Sequence, residues 1–271
     1  MTETQPTARV LAALERGTAA PEVLGIAIRV GEMTGAAVEA VHAGTSAPAT
    51  LATLAGRVGV PLRQVAGPAG RALVSELERP EVRAIVMGAG RGGHGALGVG
   101  ATTLDVTERS AKPVVVVPAT GHLAEGPLHR LLVPLEGEEA SSRPVLEALL
   151  PLLAQEVEVE VLHVFTDETL PRMLDRPVRD TELLGREFLA KNFPVATQIL
   201  LRSGTVADRV VEVGTERGAD MIVLSWSQDP SEGRARVVRD VLRGAALPVL
   251  LLPAAGSGRT TLHGQAPDAA G

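Results

Sequence analysis

An ordered internal repeat limits what this chain can fold into more than any other feature. Arg9-Val-Leu-Ala-Ala-Leu-Glu15 lines up with Arg130-Leu-Leu-Val-Pro-Leu-Glu136, and Val38-Glu-Ala-Val-His42 with Val159-Glu-Val-Leu-His163, each displaced by 121 residues. Further on, Ala84-Ile-Val-Met87 matches Met221-Ile-Val-Leu224, and Lys112-Pro-Val-Val-Val-Val-Pro118 matches Leu247-Pro-Val-Leu-Leu-Leu-Pro253. A repeat that keeps its order over nearly the whole length implies two copies of one domain. With 271 residues, each copy has about 135, enough to bury a core.

Within a copy, short apolar runs alternate with helical patterns. Residues 9–14, 37–42, 62–65, 82–87 and 112–117 read as strands. Val23, Leu24, Ile26, Ala27 and Val30 recur at helical spacing, with Gly35 just past the end. Leu51, Leu54, Ala55 and Val58 predict a second helix, Pro68 to Leu77 a third, and Ala101 to about Ser110 a fourth. Strands that are apolar throughout belong to parallel sheets covered on both faces. The fold class expected is therefore α/β: two repeated doubly wound domains, each a five-stranded parallel sheet between helices. Domain 1 spans 9–118 and domain 2 spans 130–254, with a linker at 119–129, an unstructured lead-in at 1–8 and a disordered tail at 255–271.

Composition excludes several functions. Aromatic residues make up 1% and Tyr is absent, so no stacking platform for single-stranded nucleic acid can be built. The net charge of −6 gives no basic footprint for a polyanion. With no cysteine there is no disulfide and no thiolate metal site, and the six His have no ligand spacing. The first eight residues hold no apolar core of a leader, and no run approaches the ~18 apolar residues of a membrane span. The expectation is a soluble cytoplasmic protein that binds neither nucleic acid nor membrane.

The stretch with the clearest chemistry runs from Gly88 to Gly100, with seven glycines in thirteen positions. It follows the strand at 84–87 and feeds the helix that starts at Ala101. Without Cβ atoms, backbone can come close to a ligand, and a helix N-terminus adds its N–H groups and positive dipole end for a phosphate. A loop that binds nothing is the alternative. Gly88-x-Gly90-x-x-Gly93 also fits the dinucleotide fingerprint, with Glu108 about twenty residues on. That reading fails, because Glu108 falls inside the intervening helix and the next strand ends without a carboxylate. The equivalent loop of domain 2, Ser225 to Ala235, has one glycine and carries Asp229 and Glu232, which repel phosphates. Arg236, Arg239 and Arg243 share a helical face there, read as a solvated charged face.

The arrangement resembles a tandem universal stress protein. Nucleotide-binding members of that family carry Pro-x-Asp after the first strand and Gly-x2-Gly-x9-Gly-(Ser/Thr) after the fourth. Here Ala13-Leu14-Glu15 and Pro134-Leu135-Glu136 occupy the first place, with Glu for Asp. Counting back from Pro113 puts Gly100 and Ala101 at the Gly-(Ser/Thr) pair, and Gly90 keeps the x9 spacing.

The resemblance implies a stress-response regulatory protein, not an enzyme, that binds ATP or a related adenine nucleotide through domain 1, with Mg²⁺ carried by the phosphates. Slow hydrolysis stays open. Leu14 and Glu15 would border the adenosine, with Val41 beneath the base and Met87 at the strand end. Gly88, Gly90, Gly93 and Gly100 would bring backbone to the phosphates. Ala101 lacks the family's hydroxyl, and Thr102 is its substitute one residue on, about 100° around the helix. His94 lies in the loop, and His42 and His163 read as structural. The alternative is a scaffold or partner-binding module of the same fold without nucleotide. Either way, an intramolecular pseudo-dimer is expected, with the apolar runs 114–117 and 249–252 meeting across its two-fold, and a further homodimer is compatible with it.

Overall fold

The computed structural model describes residues 7–17, 19–90, 97–119, 126–135, 145, 147–150, 153, 157–166, 198–228 and 234–254. The first half of the chain gives β1 (Arg9–Ala13), α1 (Ala20–Thr34), β2 (Ala37–Ala43), α2 (Ala49–Arg57), β3 (Leu62–Val65), α3 (Ala69–Leu77), β4 (Val82–Gly88), α4 (Ala101–Arg109) and β5 (Val114–Val117). The second gives β6 (Arg130–Pro134), β7 (Glu158–Phe165), β8 (Gln198–Ser203), α5 (Val206–Glu216), β9 (Met221–Trp226), α6 (Arg234–Gly244) and β10 (Val249–Pro253). Most of the expected linker, the tail at 255–271 and most of the lead-in lie outside the described residues.

The strands are apolar on both faces because both faces are covered. In β1, Val10 and Ala12 point into one core layer and Leu11 into the other; in β10, Leu250 and Leu252 divide from Val249 and Leu251 in the same way. This is the two-residue period of a strand, doubled by having apolar residues at every position. One layer is closed by α1 and α2, the other by α3, α4, α5 and α6, and each layer runs across both halves. Helix α1 presents Val23, Leu24, Ile26, Ala27 and Val30 to the sheet and is closed by Gly35 in the left-handed conformation, at φ 62°.

The sheet corrects one expectation. The two five-stranded parallel halves meet at the expected runs 114–117 and 249–252, but not as separate sheets: the ten described strands form one continuous sheet, in the order β3-β2-β1-β4-β5-β10-β9-β6-β7-β8. Each half keeps its strands parallel, and among the described strands the seam between the halves is the one antiparallel pairing. At that seam Val116 lies opposite Val249, Val115 opposite Leu250 and Val114 opposite Leu251. The reason is the edge each half would otherwise leave bare, a row of unpaired N–H and C=O groups on a fully apolar strand. Because the seam is antiparallel, the carboxyl ends of the first five strands and of the last five lie at opposite rims.

Side chains also cross the seam. The indole Nε1 of Trp226, at the end of β9, donates to the Thr107 carbonyl of α4 at 2.9 Å, and Gln228 Nε2 donates to the Ser110 carbonyl. These oxygens belong to the last turn of α4 and to its C-cap, where carbonyls lack partners within the helix. Arg29 of α1 lies 3.6 Å from Asp220. Burial lowers the pKa of Arg29, and the charge of Asp220 opposes that shift.

Candidate functional site

At the carboxyl end of the first five strands the order turns at β1, with β2 on one side and β4 on the other. Such a switch point opens a crevice, because the following helices leave to opposite faces. The pairings Ala13↔Val41 and Ala13↔Met87 bring the three strand ends level. A cavity of about 140 Å³ lies there, walled by Leu14 and Glu15 after β1, Val41 and His42 of β2, Met87 and Gly88 of β4, and Thr102 and Thr103 of α4.

Backbone bonds fix this geometry. Leu14 N donates to Val41 O at 2.8 Å, and the Leu14 carbonyl is 2.8 Å from His42 Nδ1. His42 is thus tied to the turn it follows in space, and His163 repeats the contact with Leu135 O at 3.0 Å. Thr103 Oγ1 donates to Gly88 O at 2.9 Å, which pins the start of α4 to the end of β4. Gly100 N donates to Ala89 O at 2.7 Å and closes the described part of the glycine loop. Gly90 has φ 79°, and a Cβ there would stand 3.0 Å from Gly100 Cα, so the two backbones touch where a side chain has no room. Gly100 caps α4 without a side-chain hydrogen bond.

The structure places the expected residues unevenly. Leu14, Glu15, Val41, Met87, Gly88 and Thr102 line one cavity. Gly90 and Gly100 lie against each other beside it. Ala101 is exposed and outside the described lining, whereas Thr102 faces in. Gly93 and His94 lie outside the described residues, as do Asp229 and Glu232. Sequence reasoning missed Ala19, Ala20, Val23, Ala69 and Leu73, which helices α1 and α3 bring to the wall. The start of α3 after Pro68 was the available signal for Ala69. The charged face of α6 is also less simple than read. Arg236 is solvated, but Arg243 lies across Gly98, whose Cβ position is 2.5 Å from Arg243 Cγ.

Among the described residues no group of three or more His, Cys, Asp or Glu could hold a metal, and no helix is long and apolar enough to cross a membrane. A doubly wound, mostly parallel α/β protein with a crevice at its switch point is the class this geometry defines. Residues 127–253 match the model of the universal stress protein family. No curated protein matches the chain. Three solved structures share the fold over nearly the full length. A functionally unknown protein from Pseudomonas aeruginosa PAO1 is 12% identical, with 92% of this chain and 93% of that one covered and a TM-score of 0.66. A putative universal stress protein from Pseudomonas aeruginosa UCBPP-PA14 is 13% identical, with 92% and 94% covered and a TM-score of 0.62. A universal stress protein from Archaeoglobus fulgidus DSM 4304 is 16% identical, with 91% and 96% covered and a TM-score of 0.59. At these identities the likeness is one of fold.

Proposed function

We propose that the chain is a cytoplasmic stress-response regulator, built from two universal-stress-protein domains at 9–118 and 130–254, whose first half binds an adenine nucleotide without turning it over. The observation that carries this reading is the cavity at the β1/β4 switch point with the Gly90–Gly100 contact and the uncapped start of α4 beside it. Leu14, Val41 and Met87 offer apolar surface to a base, and Glu15 stands where a carboxylate can accept from a ribose hydroxyl. The N–H groups of the first turn of α4 have no partners inside the helix and favour a phosphate. Thr102, whose hydroxyl has no described hydrogen bond, stands at the same helix end. The described lining supplies no cation, so Mg²⁺ would travel with the phosphates and affinity would be modest.

Calorimetric titration with ATP and Mg²⁺ tests this. One site per chain is expected, lost in Gly100→Val, whose side chain would push on Gly90 Cα from a Cβ only 3.3 Å away. Two equivalent sites, or binding that survives Gly100→Val, would contradict it. The exposed Ala101 and the single residue between Gly88 and Gly90, one short of the family's spacing, favour the second reading, a scaffold of the same fold; absence of binding at millimolar ATP would select it.

A further inference from the structure

The second half has a cavity of about 150 Å³ at the corresponding place, the carboxyl ends of β6, β7 and β9. Its walls can be compared with the first position by position. Thr102 and Thr103 lie eleven and ten residues before Pro113; Val237 and Val238 lie the same distances before Pro248. Ala69 and Val206 are the first residues of α3 and α5. Ala43 corresponds to Val164 at the displacement of 121, and Gly88 to Ser225 just past the matched runs 84–87 and 221–224.

Every one of these changes but the last replaces a polar or small side chain with an aliphatic one. Thr to Val is the telling case, since valine keeps the shape of threonine and removes its hydroxyl. In the first half both threonines line the cavity and Thr103 Oγ1 holds Gly88 O; in the second the corresponding side chains are valines. Ser225 is the one polar side chain in the described lining. Against this described lining, a phosphate or a ribose would lose hydration and gain Ser225 as its side-chain partner, which is costly. An apolar volume of about this size accommodates a benzene-sized guest.

We infer that the second cavity is a binding site for a small, uncharged, apolar molecule, of the size of one aromatic ring or a short alkyl chain. This does not rest on the nucleotide reading of the first half. Fluorobenzene is the probe, added to the full chain and followed by ¹⁹F NMR together with the methyl spectrum of Leu and Val. Saturable binding is expected, with shifts at Leu162, Val164, Val206 and Leu224 and none at Leu14 or Val41. The double variant Val237→Thr/Val238→Thr restores the hydroxyls at constant shape and should weaken the probe about tenfold. Its fold is checked by circular dichroism, and if it does not fold the wild-type methyl map decides alone. Absence of saturable binding, shifts confined to other methyls, unchanged affinity in the folded double variant, or shifts of these same methyls by ATP would each overturn the inference.

Discussion

Glu39 and Glu160 stand at the same place in the two halves, 121 residues apart, each buried and each paired in register with a leucine of the neighbouring strand, Leu11 or Leu132. Their surroundings differ. Arg9, Arg63 and Arg79 gather on Glu39. Glu160 is held by Arg217, at 2.5 Å, and Arg217 in turn donates to Gln198. At the amino-terminal rim, then, the repeat has kept a buried charge and changed the partners that neutralise it. At the carboxyl rim it has kept the shape of a cavity and changed its polarity. Position is what the two halves share, and chemistry is assigned locally by the side chains nearby.

The largest test of that comparison is at Trp226. It ends its strand one residue past Ser225, where the first half, one past Gly88, has Ala89. Trp226→Ala makes the halves alike, empties a fully buried site and removes the donor to Thr107 O. A loss of about 3–5 kcal/mol is expected in denaturant unfolding followed by circular dichroism. Trp226→Phe keeps most of the packing and should cost about 1–3 kcal/mol, the price of an unsatisfied carbonyl.

Next come the nucleotide contacts. Thr102→Val gives the first cavity the side chain of the second and should weaken ATP about ten- to a hundredfold, the worth of one hydrogen bond to a charged acceptor. Ala101→Ser should tighten it. Calorimetry at fixed salt and Mg²⁺ reads both; if neither moves a measurable affinity, the phosphates do not sit at the start of α4.

The turn two residues past each strand end is a smaller contrast. It has positive φ at Gly90 in the first half and at Gln228, with φ 64°, in the second. Gly90→Ala meets both the left-handed penalty and the Gly100 backbone, and should cost about 1–2 kcal/mol in thermal or denaturant unfolding. Gln228→Gly relieves the same penalty but gives up the bond to Ser110 O, so its net change should stay within about 1 kcal/mol.

The smallest effect is a pH dependence at Glu76, in the first half. The hydrogen bond from Arg63 holds the Glu76 carboxyl below its ordinary 4.5, against burial, with Arg79 helping. A depressed folded value means the stabilisation is in full above 4.5 and is lost as the pH falls through the folded value. Val213 occupies the matching position, 137 residues on as in the strands that follow, and cannot titrate. Unfolding free energy measured between pH 6 and 3 should therefore fall less in Glu76→Gln than in wild type, by about 1 kcal/mol for such a half-exposed pair. Equal slopes would remove Glu76 from the account.

Much of the fold was legible because the central strands are nearly continuous apolar runs, as in β1, β5 and β10, and because Gly35 and Pro68 punctuate helices by backbone chemistry alone. The seam was half legible. The resemblance named Val114–Val117 and Val249–Leu252 as the runs that meet, and they do, but apolar runs alone do not state that they meet by antiparallel strand pairing into one sheet. For the candidate site, the stretches Leu14–Glu15 and Met87–Gly88 were visible because they follow strands. Ala69, Leu73 and Thr103 were not, since their place in the wall depends on where distant helices pack. Trp226 was least visible of all, for its partner lies 119 residues away on another element.

The seam also has a history during synthesis. β5 is complete once Val117 has been made, while its partner strand begins only at Val249. At 5–20 residues per second, roughly 7 to 26 seconds pass before the strand that pairs with this finished apolar strand begins to be made. Joining ends so far apart in the chain then costs about 4 kcal/mol of loop entropy. A ribosome close behind on the same message carries an identical bare strand, so closely spaced ribosomes give nascent chains the chance to pair with each other instead of with themselves.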